Sequence, residues 1–427
     1  MNEAYLRRMH RELPDFAAYE ACLSAPPVRG VCVNTLKISP QEFCALAPFA
    51  LAPVPWEERG FYIEEEKPGR SPYHDAGLFY VQEPSAMCAA PLLDVRPGER
   101  VLDLCAAPGG KSAQLAQAMR GEGVLVLNEK MPDRARILLQ NVERMGISNA
   151  VVTSASPETL AERFAGYFDK VLVDAPCSGE GMFRKEPEAP RQWSEENVRM
   201  CAERQRKILH SAAAMVAPGG KLVYSTCTFS RDEDEENAAW FAGAHPQFTM
   251  LSQTKLYPHR VRGEGHFAAL FVREAGERTR MRAPRPPVDR RAAALWQPFA
   301  REFLTEPPQG ALLSFGSSLC LVPPDLFPLG GLKVLRAGLL LGEAKGSRFE
   351  PAHALVLGVP RTSLRSVVSL DGAQTAAYLR GEELPVRAAA RGWCAAAYGG
   401  WPLGLAKAGE TLKNHYPKGL RRSAATG

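Results

Sequence analysis

Between residue 98 and about residue 274, short apolar runs alternate with helical stretches, and this alternation limits what the 427-residue chain can fold into. Residues 101–104 and 124–127 are short and near-continuously apolar, as strands buried on both faces must be. The pattern returns at 151–153, 170–174 and 221–225. Helical stretches lie between them at 111–120, 132–145 and 195–216. The second has Pro132 in its first turn, Ile137, Leu138, Val142 and Met145 on a helical repeat, and Gly146 at its end. The third stops at Ala217, Pro218, Gly219 and Gly220. Such βαβα order predicts an α/β fold: a Rossmann-like, doubly wound, mostly parallel sheet that binds ligands at the carboxyl ends of its strands.

Residues 96–276 form this central domain. Before it, residues 1–95 hold one extended segment at 31–36 and aromatic-rich loops at 60–63 and 77–81, which predicts a small α+β domain. After it, residues 277–290 are rich in Pro and Arg and read as a linker, and 291–427 carry short apolar runs broken by Pro and Gly, a β-rich module. Charge divides at the same place. From Arg278 onward there are 21 Lys and Arg against 10 Asp and Glu, about +11, while the preceding part has 31 against 37, about −6. A basic block on an acidic body fits a polyanion-binding appendage or a solvated Arg-rich face. No run of eighteen apolar residues occurs and the start lacks the basic-then-apolar order of a signal peptide, so a cytoplasmic protein without a membrane span is expected. The ten cysteines are scattered and never two residues apart, so they build neither a zinc ribbon nor a secreted disulfide framework, and most are expected to be buried thiols. No metal site is expected.

Four strand ends carry the chemistry. Residues 103–111 follow a strand and open a helix, and the small residues Ala106, Ala107, Pro108, Gly109 and Gly110 let backbone approach a ligand closely. The Gly-x4-Gly-Lys-Ser/Thr spacing of a phosphate loop is absent. Glu129, nineteen residues past Gly110 at the end of the second strand, stands where a nucleoside-containing cofactor would present its ribose hydroxyls. One later strand ends at Asp174 and runs into Cys177; another runs through Ser225 into Cys227. Two thiols and a carboxylate therefore converge on the ligand face. Beside a methyl donor, this set suits a pyrimidine: a thiolate adding at C6 makes C5 a nucleophile, and a base then removes the C5 proton. Asp174 suits an acid or hydrogen-bonding role if a closed site raises its pKa. Either thiol can attack and the other assist release.

At these residues the chain resembles the cytosine-5 RNA methyltransferases that use S-adenosylmethionine. The matching stretches are 33–37, 82–86, 105–111, 174–179 with 182–185, and 224–228, and the resemblance covers nearly all of the chain. Its C-terminal block resembles the PUA-like RNA-binding extension of the bacterial branch that methylates small-subunit ribosomal RNA, notably at 379–384 and 418–422. The resemblance implies Cys227 as nucleophile and Cys177 as the residue that helps break the adduct, whereas DNA cytosine methyltransferases attack with the Pro-Cys cysteine. It further implies that Ala106, Ala107, Pro108, Gly109, Gly110, Lys111, Ser112, Glu129, Ser156 and Asp174 line the methyl-donor site, with Lys111 close to the reacting base. In one place the chain departs from its relatives: Ser154, Ala155 and Ser156 stand where an acidic or amide residue commonly meets the adenine end of the cofactor. The partner implied is ribosomal RNA or the small ribosomal subunit, with no DNA, and a monomeric enzyme.

Two alternatives stay open: transfer RNA as substrate, or a ribosome-assembly protein that binds RNA without catalysis. The presence of Lys111, Asp174, Cys177 and Cys227 speaks against the second, since a scaffold needs none of them. The acidic run 232–236, three residues from Ser230 to Glu233, reads as a capping box rather than a metal site, and His210 as a core or surface histidine.

Overall fold

The computed structural model describes residues 2–186, 188–277, 287–386 and 391–423. In the N-terminal block, β1 (Arg29–Val33), β2 (Ala52–Val54), β3 (Glu57–Ile63) and β4 (Phe79–Val81) make an antiparallel sheet in the order β2-β3-β1-β4. Its helix Pro40–Leu46 starts where Ser39 and Glu42 form a reciprocal capping box.

The central sheet contains β5 (Arg100–Asp103), β6 (Val124–Asn128), β7 (Ala150–Thr153), β8 (Phe168–Asp174), β9 (Val216–Thr226), β10 (Phe248–Leu256) and β11 (His266–Arg273). Its order runs β10-β11-β9-β8-β5-β6-β7, with the five strands from β9 to β7 parallel and β11 and β10 antiparallel. Every residue of β6 and β7 is buried, which explains their unbroken apolar runs. The helices Gly110–Met119, Pro132–Met145 and Glu195–Met215 cover the faces, within one residue of the expected limits at most ends. From β5 the chain proceeds to β6 and β7 on one side and returns to β8 and β9 on the other. The crevice therefore opens at the carboxyl ends of β5 and β8.

The C-terminal block contributes β12 (Ala311–Phe315), β13 (Ser318–Val322), β14 (Val334–Ala337), β15 (Leu339–Lys345) and β16 (Arg348–Pro351), then β17 (Val367–Leu370), β18 (Gly392–Tyr398), β19 (Trp401–Ala408) and β20 (Leu412–Asn414). Two four-stranded sheets result, β12-β13-β15-β16 and β17-β18-β19-β20. The β-rich expectation holds, but the block is packed into the body rather than hung from it. Strand β14 leaves its neighbours to pair antiparallel with β7, Ala337 opposite Val151 and Val334 opposite Thr153. Leu313, Val322, Leu326 and Phe327 share one core with Val124, Val151 and Phe164, while Val368, Tyr378 and Leu403 share another with Val31, Phe43 and Phe79. Gly146 marks this closeness: it caps its helix at φ +72, and a Cβ there would lie 2.4 Å from the Leu357 carbonyl oxygen. Most of the expected linker, 278–286, lies outside the described residues; at its end Asp289 caps the helix Arg290–Phe303.

All ten cysteines are free, but only Cys32, Cys201, Cys320 and Cys394 are buried, fewer than expected, because five others sit at loop and site edges and Cys44 is exposed. Among the described residues no helix is long and apolar enough to cross a membrane.

Candidate active site

The turn after β5 is held from below by the helix that follows β6. Arg134 Nη2 donates to the Ala107 carbonyl (2.8 Å) and Asn141 Nδ2 to that of Pro108 (2.8 Å). The Ala106 N–H donates to the Asn128 carbonyl (2.8 Å). Gly109 turns at φ +117, and a Cβ there would come within 3.2 Å of Leu138 Cδ1, so a left-handed conformation and close packing both demand glycine. Ser112 Oγ donates to Asp103 Oδ2 (2.7 Å), whereas Asp103 Oδ1, buried at the end of β5, has no partner among the described residues. Burial pushes the Asp103 carboxyl up to about 7.

Glu129 is buried, only 5% exposed. Its Oε1 accepts from the Met131 N–H (2.9 Å) and its Oε2 lies 3.4 Å from exposed Arg134. Ser156 serves its own loop, since its Oγ accepts from the Thr159 N–H (3.3 Å) and caps the helix Pro157–Arg163. Ser154 Oγ reaches only the Lys130 carbonyl, at 3.4 Å. Asn128 joins the β5, β6 and β7 loops through the Leu104 and Ala155 carbonyls, both at 3.1 Å.

Across the crevice, Lys111 from the helix after β5 meets Asp174 from β8, Nζ to Oδ2 at 2.8 Å. Ser225 Oγ at the end of β9 donates to Asp174 Oδ1 (2.8 Å), and His266 Nε2 stands 3.7 Å from the same oxygen. Burial acts to raise the Asp174 carboxyl, but Lys111 and His266, with hydrogen bonds from Lys111 and Ser225, outweigh it and hold the group below the usual carboxylate range. The condition for an acid's role, a raised pKa, is not met by this arrangement, which favours the ionised carboxylate. Burial likewise acts to lower the Lys111 ammonium, and Asp174 outweighs it, so Lys111 stays charged. Beside this pair the two thiols converge, Cys177 Sγ 3.4 Å from Cys227 Sγ. The hydrogen bond with Cys227, then burial, holds the Cys177 thiol well above its ordinary range.

Buried ion pairs fasten the surrounding loops. Arg8 of the N-terminal helix pairs with Glu180 at 2.6 Å, and Glu180 also accepts from Trp193 Nε1 and the Phe229 N–H. Arg184 pairs with Glu264 at 2.7 Å, Glu264 accepts from the Val28 N–H, and Glu83 accepts from the Glu264 N–H. The motif residues Glu83 and Arg184 therefore join the N-terminal block to the site. The expected capping box at Ser230 is absent: the helix starts at Glu235, and Glu233 points inward to accept from the Ser178 N–H and Gln205 Nε2, because the backbone turns through 231–234 first. His210 is exposed, as a surface residue.

The sequence reading missed Asp103, Ser225 and His266. Asp103 ends its strand as Asp174 does and was findable by that symmetry. His266 comes from an antiparallel strand whose register no local pattern reveals.

Comparison with known proteins places this site in a family. Residues 90–272 match the 16S rRNA methyltransferase RsmB/F model, 1–84 the N-terminal domain of 16S rRNA methyltransferase RsmF, 298–359 its first C-terminal domain and 365–422 its PUA domain. The ribosomal RNA small subunit methyltransferase F of Citrobacter koseri is 33% identical over 98% of this chain and 96% of its own, and that of Shewanella loihica 33% over 99% and 96%. The chain belongs to this methyltransferase family. Among solved structures, a methyltransferase homolog from Pyrococcus horikoshii is 30% identical, covers 61% of this chain and 91% of that one, and superposes with a TM-score of 0.55. NSun6 from the same organism, 19% identical over 64% and 98%, shares the fold with a TM-score of 0.57.

The methyl donor of this family enzyme is S-adenosylmethionine. The residues present fit it. Its ammonium and ribose hydroxyls are hydrogen-bond donors, and the crevice offers the buried, unpartnered Asp103 Oδ1 and the carboxylate of Glu129 as acceptors.

Proposed function

We propose that this enzyme methylates C5 of a cytosine in small-subunit ribosomal RNA through a covalent bond between Cys227 and C6. The observation that carries this reading is the meeting of the two thiols, 3.4 Å apart, beside a charged Asp174–Lys111 pair. S-adenosylmethionine, when bound, supplies an electrophilic methyl group. Ala106 to Ser112 and Glu129 hold it, with Asp103 added to the set expected from sequence. Ser156 joins only through the loop it caps.

Asp174, kept ionised, accepts from the exocyclic amine of cytosine, which distinguishes cytosine from a base presenting a carbonyl there. Cys227 loses its proton to solvent water, and its thiolate adds to C6. Lys111 then stabilises the negative charge that reaches the ring. C5 takes the methyl group. Once Cys227 sulfur is bonded to C6 as a thioether, the hydrogen bond that helped hold Cys177 protonated is weakened. Cys177 loses its proton to solvent water, its thiolate takes the proton on C5, the C5–H electron pair forms the C5=C6 double bond, and the C6–S bond breaks to release Cys227 as thiolate. A duplex cytosine cannot present C6 to a thiol above its plane, so the target is unpaired or flipped.

Bisulfite sequencing of ribosomal and transfer RNA from cells with and without this protein tests the reading: a 5-methylcytosine lost from small-subunit RNA supports it, and one lost only from transfer RNA replaces the substrate. On the cofactor side, Glu129→Ala is expected to weaken S-adenosylmethionine binding by roughly 1–3 kcal/mol, the range for hydrogen bonds involving a charged group. Calorimetry on the RNA-free protein checks this, and an unchanged dissociation constant would restrict Glu129 to its bonds with Met131 and Arg134.

A further inference from the structure

We infer that His266 is a positioning residue that holds Asp174 in place when the target base draws Lys111 from it; this rests on the cytosine-5 reading above. Strand β11 runs antiparallel to β9 with Phe267 opposite Thr226. Continued by one residue, that register sets His266 across from Cys227. Ala268 and Leu270 on β11, like Val223 on β9 and Leu172 on β8, belong to the core on one face of the sheet. Strand alternation puts His266, Cys227, Ser225 and Asp174 on that face too.

His266 is 1% exposed, and both of its ring nitrogens lack a hydrogen-bond partner among the described residues. A neutral imidazole carries one N–H, and burying it unbonded is unfavourable. Asp174 Oδ1 stands 3.7 Å from Nε2, just beyond hydrogen-bond length. That oxygen has two lone pairs, and Ser225 uses one at 2.8 Å. The other carboxylate oxygen is taken by Lys111 at 2.8 Å.

Oδ2 likewise has two lone pairs, so a cytosine amine joins Lys111 there, and the negative charge that then reaches the ring draws Lys111 off Asp174. When Lys111 turns to the ring, Asp174 gives up its strongest stabilising partner while its side chain is only one-third exposed. A shift of less than an ångström lets His266 donate Nε2–H to Oδ1 and replace part of that stabilisation. Burial, with Lys111 adding to it, pushes His266 down to about 3, so it acts as a neutral dipole and adds no second cation beside Lys111.

The test uses the full chain, S-adenosylmethionine and unmethylated small ribosomal subunits from cells lacking this protein, and compares His266→Gln with His266→Phe. The Gln amide can donate the same hydrogen bond, whereas Phe fills the space without a donor. His266→Phe is expected to lower kcat about tenfold or more with KM for the subunit little changed, and His266→Gln to stay within about threefold of wild type. A packing role predicts the reverse order, with Phe at or above Gln, and that order overturns the inference. Should His266→Phe fail to fold, the structure of the RNA adduct trapped with Cys177→Ala decides: His266 Nε2 to Asp174 Oδ1 is expected below about 3.2 Å, and a distance unchanged from the free enzyme overturns it. Wild-type enzyme that leaves no 5-methylcytosine sinks the underlying reading. Methylating wild type with the wrong order of variants sinks the inference alone.

Discussion

Cys227→Ala is expected to abolish methyl transfer while leaving the fold and S-adenosylmethionine affinity intact, and Cys177→Ala to accumulate a covalent RNA adduct that survives denaturation. The two thiols touch at 3.4 Å, so proximity does not separate their roles; the resemblance to the cytosine-5 RNA methyltransferases assigns attack to Cys227 and release to Cys177. Without it, addition and methylation proceed but the C5 proton has no base, so the adduct persists. The double variant should give no adduct. Denaturing gels with labelled RNA read all three proteins directly, and an adduct that builds up with Cys227→Ala instead would exchange the assignments.

A chain ending at Glu277 is expected to fail as a stable protein, although its central sheet looks complete in the sequence. It loses Leu313, Val322, Leu326, Phe327 and Ala337 from the core that covers β6 and β7, and it uncovers the edge of β7 that β14 pairs. At roughly 1.5–3 kcal/mol for each large apolar side chain, the loss is on the order of 10 kcal/mol. That matches the entire net stability of a typical domain, about 5–15 kcal/mol. Soluble yield, melting temperature and S-adenosylmethionine affinity measure the effect. A truncated protein that melts close to the full chain and binds the cofactor equally would show that the C-terminal block adds nothing to the central fold. Because truncation disturbs the fold, the RNA footprint of the basic block is better read by replacing exposed Lys413 and Lys418 with Ala. If both meet phosphates, the slope of log affinity against log salt flattens by roughly 1 for each phosphate no longer neutralised.

Local sequence determined the sheet that makes the site. Strand period, helix caps and the small residues of 106–110 act over a few residues, so β5 to β9, their helices and the cofactor turn were legible without a structure. The positions of Asp174, Cys177 and Cys227 followed from the rule that ligands meet the carboxyl ends of parallel strands. Tertiary structure decided what those residues are. That Asp174 faces Lys111, sixty-three positions away, at 2.8 Å was hidden in the sequence, and the charge of a carboxyl depends on which cations fold against it. The order of the C-terminal strands was equally hidden: β14 is a short apolar run whose partner β7 lies across some 180 residues, and pairing at that range depends on complementary buried faces that no window of sequence displays. His266 entered the site for the same reason, carried there by the register of an antiparallel strand against the one that bears Cys227.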